Sequence, residues 1–399
     1  MPPETIYLDN NATTPVDPDV YQAMIPYLTR EYFNSSSMYS EAHGPAHALA
    51  EARAKVSCLL GGIIPDQIVF TGCATESNNT AVFGCMRANP ARRRIITTVV
   101  EHPSVLEVCK AAEREGCEVT YLSVDPNGCL DLHDFIRALR PDTLLVSIMH
   151  ANNETGVIFP IEELSRITKE TDPNIIFHSD ATQTVGKLPI DLQGSYAGID
   201  LLSFSGHKIY APKGVGALYI RRGTRIRSFM VGGHQESGRR AGTENVAGIV
   251  ALGKACETVL NCRTEENQRI HSMRDRLENS LEQVIPHLQI NGKRALRLGN
   301  TCNLSCHYIE GEAILYQLNE HGICASSGSA CTSGSLDPSH VLKAMQIPFT
   351  ALHGSVRFSL GRYTTEDQID RVIKVFPDIV ARLRRLSPYW NQEANRPNP

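Results

Sequence analysis

Between residues 46 and 220 the chain alternates short apolar runs with stretches whose apolar positions recur every three or four residues. Residues 46–60 carry the helical period and stop at Gly61-Gly62. A strand is predicted over 68–71, then a turn of small polar residues and a helix from about residue 77 to 88. Residues 95–100, 119–122, 143–149 and 175–179 read as buried strands, separated by helical stretches near 104–115, 131–139 and 161–169. Strands at 201–205 and 216–220 complete the series. Regular strand–helix alternation predicts a mostly parallel sheet with helices on both faces. Beyond Gly232-Gly233 the pattern changes: one long helical stretch covers 244–284, followed by strands near 300–305 and 355–359 and helices near 310–321 and 365–386. This part reads as a smaller α+β domain. The expected division is a large domain over 15–259, a small one from 1–14 with 260–390, and a polar, disordered tail over 391–399. No internal repeat is visible.

Composition narrows the functional classes. A chain of 399 residues with 42% hydrophobic and 21% charged residues has the make-up of an ordinary two-domain globular protein. Its net charge of -4 advertises no nucleic-acid surface, and the runs Arg92–Arg94 and Arg221–Arg222 read as solvated surface. No apolar run approaches the ~18 residues of a membrane span, and residues 1–14 lack the pattern of a secretory signal. The twelve cysteines therefore read as reduced thiols of a cytoplasmic protein. None forms a C-x-x-C pair, and Cys302 with Cys306 lacks a second pair of ligands, so no metal site is expected. Cys58 and Cys256 have apolar neighbours and read as small buried hydrophobes, which Cys331 does not.

Five segments carry candidate chemistry, and each has a plainer explanation. In Ser205-Gly-His207-Lys208 a lysine stands at the mouth of a strand among small polar neighbours. Such a lysine can bond covalently to an aldehyde when partly desolvated, and it can equally be a surface lysine. In Phe177-His-Ser-Asp180-Ala-Thr-Gln183 a carboxylate closes an apolar run, where burial requires a partner such as a protonated ring nitrogen. It also suits a helix N-cap. Thr71-Gly-Cys-Ala74-Thr75-Glu76 sits where backbone amides at a helix start can cradle a phosphate, or is simply a capped helix. His102 can stack on an aromatic ring or be a satisfied core histidine, and Asn153 can donate to a ligand oxygen or form a turn. All five follow apolar strands, on the edge where open α/β sheets bind ligands.

Together these segments resemble the fold-type I pyridoxal-phosphate enzymes, specifically the class V group that contains the cysteine desulfurases. The resemblance runs from Tyr7-Leu-Asp-Asn-Asn-Ala-Thr-Thr14 to Ser387-Pro-Tyr-Trp390. Its most discriminating part is Ser326-Ser-Gly-Ser-Ala-Cys331-Thr-Ser-Gly-Ser335, which is similar to the catalytic cysteine loop of those enzymes. Gly238-Arg-Arg-Ala-Gly-Thr243-Glu-Asn245 and His353-Gly-Ser-Val-Arg357 also match. Asn10-Asn11 and Arg239-Arg240 point to the nitrogen-fixation (NifS) branch.

The resemblance implies a large domain with a mostly parallel seven-stranded sheet, a smaller C-terminal α+β domain, and pyridoxal 5′-phosphate bonded to Lys208. It assigns Asp180 to the pyridine nitrogen, Gln183 to the phenolate oxygen, His102 to stacking, and the Ala74 backbone with Thr75, Ser205 and His207 to the phosphate. Thr243 is assigned to the phosphate of a neighbouring subunit, which implies a homodimer. Arg357, Asn153 and Asn11 are assigned to the substrate, L-cysteine, and Cys331 to taking up its sulfur as a persulfide. A NifU-like iron–sulfur scaffold is the implied acceptor, with no nucleic acid and no membrane involved. Selenocysteine lyases, kynureninases and aminotransferases are rivals of the same fold that do not need the Cys331 loop. A sulfur carrier with a vestigial pocket would not need Lys208, Asp180 and Arg357 together.

Two local departures from the family pattern, at residues 33–37 and in the Thr71–Thr75 turn, remove no group the chemistry requires.

Overall fold

A computed structural model describes residues 5–327, 338–391 and 396–397. Near the N-terminus Ile6–Tyr7 (β1) forms a short strand. Seven strands then build the main sheet: Ile68–Thr71 (β2), Arg94–Thr98 (β3), Glu118–Leu122 (β4), Thr143–Ser147 (β5), Ile176–Asp180 (β6), Leu201–Ser205 (β7) and Gly216–Ile220 (β8). Their order is β2-β8-β7-β6-β5-β3-β4. Only β8 runs against its neighbours, so β2, β3, β5, β6 and β7 all end at one edge.

The sheet is covered on both faces, as the alternating pattern predicts. On one face Val69, Ile95, Leu145, Ile176 and Leu201 pack with Val82 and Met86 of the Ala74–Ala88 helix and Val105 of the Pro103–Arg114 helix. Their neighbours of opposite parity, including Phe70, Ile96, Val146, Phe177 and Leu202, form the other core with residues of the His43–Leu59 and Ile161–Thr171 helices. Cys58 departs from the sequence expectation: it lies on the outward side of the His43–Leu59 helix and is exposed, whereas Cys256 is buried.

A second apolar cluster lies around Leu288–Ile290 (β9), Thr301–Cys306 (β10) and Ser355–Ser359 (β12), an antiparallel sheet with β10 in the middle. Ile323–Cys324 (β11) pairs with β1 in parallel, and Asp9 bridges to Ser359, so the N-terminal strand joins this part of the molecule. The 39-residue helix Val246–Val284 threads both clusters. Its residues up to Val259 belong to the large core, and those from Ile270 to Leu281 to the small one. At the C-terminal end Trp390–Asn391 (β13) pairs with Arg396–Pro397 (β14), while the rest of the expected tail lies outside the described residues. No helix of the described residues is long and apolar enough to cross a membrane.

Candidate active site

The shared edge of the parallel strands, the Asn10–Ala12 turn and Arg357 of β12 enclose a cavity of about 290 Å³. Asn11, Ala74, Thr75, His102, Asn153, Asp180, Gln183, Ser205, His207, Lys208 and Arg357 all line it. Thr243 does not line it and is exposed in the single chain. Cys331 lies outside the described residues.

One end of the cavity is built from unsatisfied donors. The Ala74–Ala88 helix starts three residues earlier than its sequence pattern suggests, because Cys73 is fully extended and turns the chain into the helix at once. The Cys73 side chain does not cap this terminus, and Ala74 and Thr75 of the first turn line the cavity, where the helix-start amides are available to an anion. Cys73 lines the cavity itself, from a turn of small polar residues in which the sequence marked no role for it. Opposite, the Ser205 hydroxyl is buried with no hydrogen-bond partner among the described residues. His207 stands beside it with Nδ1 3.1 Å from Thr13 Oγ1. Burial, then the charges of Lys208 and Lys213, hold its imidazole down at about 4, so it is neutral at neutral pH.

At the floor Asp180 ends β6. Its Oδ2 accepts from Asn78 Nδ2 at 2.8 Å and its Oδ1 from the Thr182 amide at 2.9 Å. It is thus both the cap that its position suggests and a cavity carboxylate. His102 is likewise two things. Its Nδ1 accepts from the Ser104 amide at 3.1 Å and N-caps the Pro103–Arg114 helix, which leaves Nε2 to carry the proton on the ring that lines the cavity. Burial lowers its pKa, against the pull of Asp180.

Lys208 follows β7 on a single helical turn, and its Nζ donates to the Asn11 and Ala12 carbonyls at 2.5 and 2.6 Å. Gln183 Nε2 donates to the same Asn11 carbonyl at 3.1 Å. The Asn11 side chain is fully committed elsewhere, to the Asn153 carbonyl, Thr301 and Asn300, so Asn11 reaches the cavity through its main chain. Asn153 presents its side chain, which hydrogen-bonds to none of the described residues, while its carbonyl holds Arg357 Nη1 at 2.9 Å. Arg357 Nη2 pairs with Asp9 at 2.8 Å, and its Nε is buried without a hydrogen-bond partner among the described residues. A guanidinium with donors to spare at a cavity wall suits a planar carboxylate.

Sequence reasoning missed Asn78, Ser104 and Thr182. Asn78 is wholly buried on the sheet-facing side of its helix, and an amide on an otherwise apolar face was the available signal.

A family model described as aminotransferase class V matches residues 6–372. The chain belongs to the class V aminotransferase family. Among its relatives, a cysteine desulfurase of Nostoc sp. (strain PCC 7120) is 57% identical over 98% of this chain and 96% of its own length. Cysteine desulfurase NifS of Azotobacter vinelandii is 54% identical over 97% of this chain and 95% of its own. The solved structure of a NifS-like protein superposes with a TM-score of 0.89 at 36% identity, covering 95% of this chain and 100% of that one. As a class V aminotransferase the chain uses pyridoxal 5′-phosphate. The cavity fits that group: orphaned donors at one end for a phosphate, a carboxylate at the floor for a ring nitrogen, and a lysine amine between them.

Proposed function

We propose that this chain is a cysteine desulfurase. It converts L-cysteine to L-alanine and holds the sulfur as a persulfide for iron–sulfur cluster assembly. The observation that carries this reading is that Lys208 and Arg357, from two different parts of the fold, open onto one cavity. A lysine for the cofactor and an arginine for an amino-acid carboxylate are thereby set to act on the same substrate. The identity of 50–57% to cysteine desulfurases over nearly the whole chain supports the choice of amino acid.

The residues divide the work as follows. The Ala74–Ala88 helix start, Thr75, Ser205 and His207 hold the phosphate. Asp180, steadied by Asn78 and Thr182, would accept from the ring nitrogen, Gln183 would donate to the phenolate oxygen, and the His102 ring would supply stacking. Bound there, the cofactor supplies an electron sink for the bonds at the substrate Cα. Arg357 clamps the carboxylate with Asn153 alongside, and the Lys208 amine removes and returns protons at Cα. The Cys331 thiolate attacks the substrate sulfur. The bond from Cβ to sulfur breaks, an S–S bond forms, and Cβ takes up a proton, so cysteine and thiol give alanine and persulfide without an outside oxidant.

We further propose a cytoplasmic homodimer in which Thr243, exposed here, completes the partner's phosphate site, and a NifU-like scaffold as sulfur acceptor in the nitrogen-fixation branch. The test of the activity is the variant Cys331→Ala. It is expected to bind the cofactor and to exchange the cysteine Cα proton with solvent, while sulfide and alanine fall to background. Persulfide on Cys324 in an active Cys331→Ala enzyme would overturn the reading.

A further inference from the structure

Asn78 stands one turn into the Ala74–Ala88 helix. Ala81, Val82 and Cys85, three, four and seven residues on, share its side of the helix and are wholly buried. On that face an amide serves the fold badly. Asn78 is itself wholly buried, and its Oδ1 has no hydrogen-bond partner among the described residues. A buried acceptor left unpaired costs a fold about 1–3 kcal/mol, a cost that an apolar side chain of similar shape does not carry. The amide is explained by its other end.

Nδ2 carries two protons and meets two acceptors, Asp180 Oδ2 at 2.8 Å and Ser104 Oγ at 2.9 Å. The direction of every bond in this chain is fixed. His102 Nδ1 accepts from the Ser104 amide at 3.1 Å, so that nitrogen holds no proton of its own. The Ser104 hydroxyl, 2.8 Å from the same nitrogen, therefore donates to it and turns a lone pair toward Asn78. Reversing the Asn78 amide would set its oxygen against the Asp180 carboxylate and against that lone pair. The NH₂ group is thus held toward both. Asn78 does not line the cavity, whereas His102, Ser104 and Asp180 all do. One amide behind the wall ties the carboxylate at the floor to the imidazole beside it. The Thr182 amide donates to Oδ1 at 2.9 Å, so each Asp180 oxygen has one fixed donor and a lone pair to spare. Hydrogen bonds donated to a carboxylate favour its charged form, the form that can hold a proton on a ring nitrogen.

We propose that Asn78 is a positioning residue for the carboxylate at the ring nitrogen. Its amide, oriented by Ser104 and through it by His102, aims Asp180 and keeps the shared proton on the nitrogen rather than on the carboxylate. The inference rests on the assignment of Asp180 to the ring nitrogen.

The test is the nitrogen-15 resonance of pyridoxal 5′-phosphate, labelled in its ring nitrogen and bound to the full-length protein. Asn78→Leu is expected to move that resonance from the protonated toward the unprotonated position. The same variant should exchange the cysteine Cα proton about tenfold more slowly, with KM for cysteine within about twofold of wild type, because Arg357 is untouched. Should the leucine variant not fold, Asn78→Ala removes the same two hydrogen bonds and should show the same displacement. A resonance that stays in place in either variant, whatever the rate, overturns the inference alone when Asp180→Asn does move it. A resonance that Asp180→Asn also leaves in place overturns both the inference and the assignment beneath it.

Discussion

Two carboxylates close to the cavity show how much single residues decide. Glu101, next to His102, is fully buried, and burial raises its pKa to about 8 although Thr98 and the Met149 amide donate to it. The unfolded chain releases this proton near pH 4.5, whereas the folded protein holds it to about pH 8. The stability it contributes is therefore complete below pH 4.5 and drains away as pH rises to about 8. Glu101→Gln, fixed in the neutral form, should be more stable than wild type by roughly 1–3 kcal/mol at pH 8.5 and no more stable at pH 4. Thermal melts across that range check it. Asp9 acts on Arg357 directly. Asp9→Ala should raise the KM for cysteine about tenfold with little change in kcat, because the guanidinium loses the partner that orients it. Asp9→Asn, which can still accept from Nη2, should stay near wild type. Steady-state kinetics of the two variants side by side would separate orientation from charge. Lys208, Asp180 and His102 stood out in the sequence because each closely follows an apolar run, and Arg357 only through the family resemblance; all four line the cavity. The ties of the Asn11 side chain could not be read, since its partners Thr301 and Asn300 are some 290 positions away.

At the scale of elements, the phosphate end depends on how closely the Cys73 turn approaches β8. Gly216, at the start of β8, makes that approach possible: a Cβ there would stand 3.0 Å from the Cys73 backbone and 2.7 Å from the Phe204 carbonyl. Gly216→Ala should push the helix start away from Ser205 and weaken cofactor binding about tenfold or more, while the fold persists. Titration of the stripped protein with cofactor measures this, and unchanged affinity would remove the close approach from the account. The seven strands of the main sheet were legible because each is a run of apolar residues bounded by polar turns. The boundaries were less so. Residues 99–100 and 148–149 continue the apolar runs of β3 and β5 but belong to the turns that carry His102 and Asn153 into the cavity. The short strands β1, β9 and β11 have only two or three residues each, too few for any period to register.

For the whole molecule, the position of Thr243 is the strongest reason to look beyond one chain. It sits on an exposed loop outside its own chain's cavity, although the family resemblance assigns it to a phosphate. Mixed dimers of Lys208→Ala and Thr243→Ala subunits, each inactive alone, should regain up to one working site. Absence of recovery after confirmed subunit exchange would mean that each site is built from one chain. We place the division between large and small domains near residue 259 on the long helix. That helix ties the two cores together, so urea should unfold both in one transition.

The union of Asp9 with Arg357, and of Asn11 with Thr301, also sets a timetable for the birth of the enzyme. Asn11 leaves the ribosome 290 residues ahead of Thr301, and Asp9 348 residues ahead of Arg357. At ordinary translation speeds roughly 15–70 seconds separate them. Through that interval the nascent chain has a growing sheet but no closed pocket, and the carbonyls that receive the Lys208 amine have nothing to hold them in place. Loading with cofactor is thus deferred until β12 has been made, and a product truncated ahead of that strand should emerge colourless.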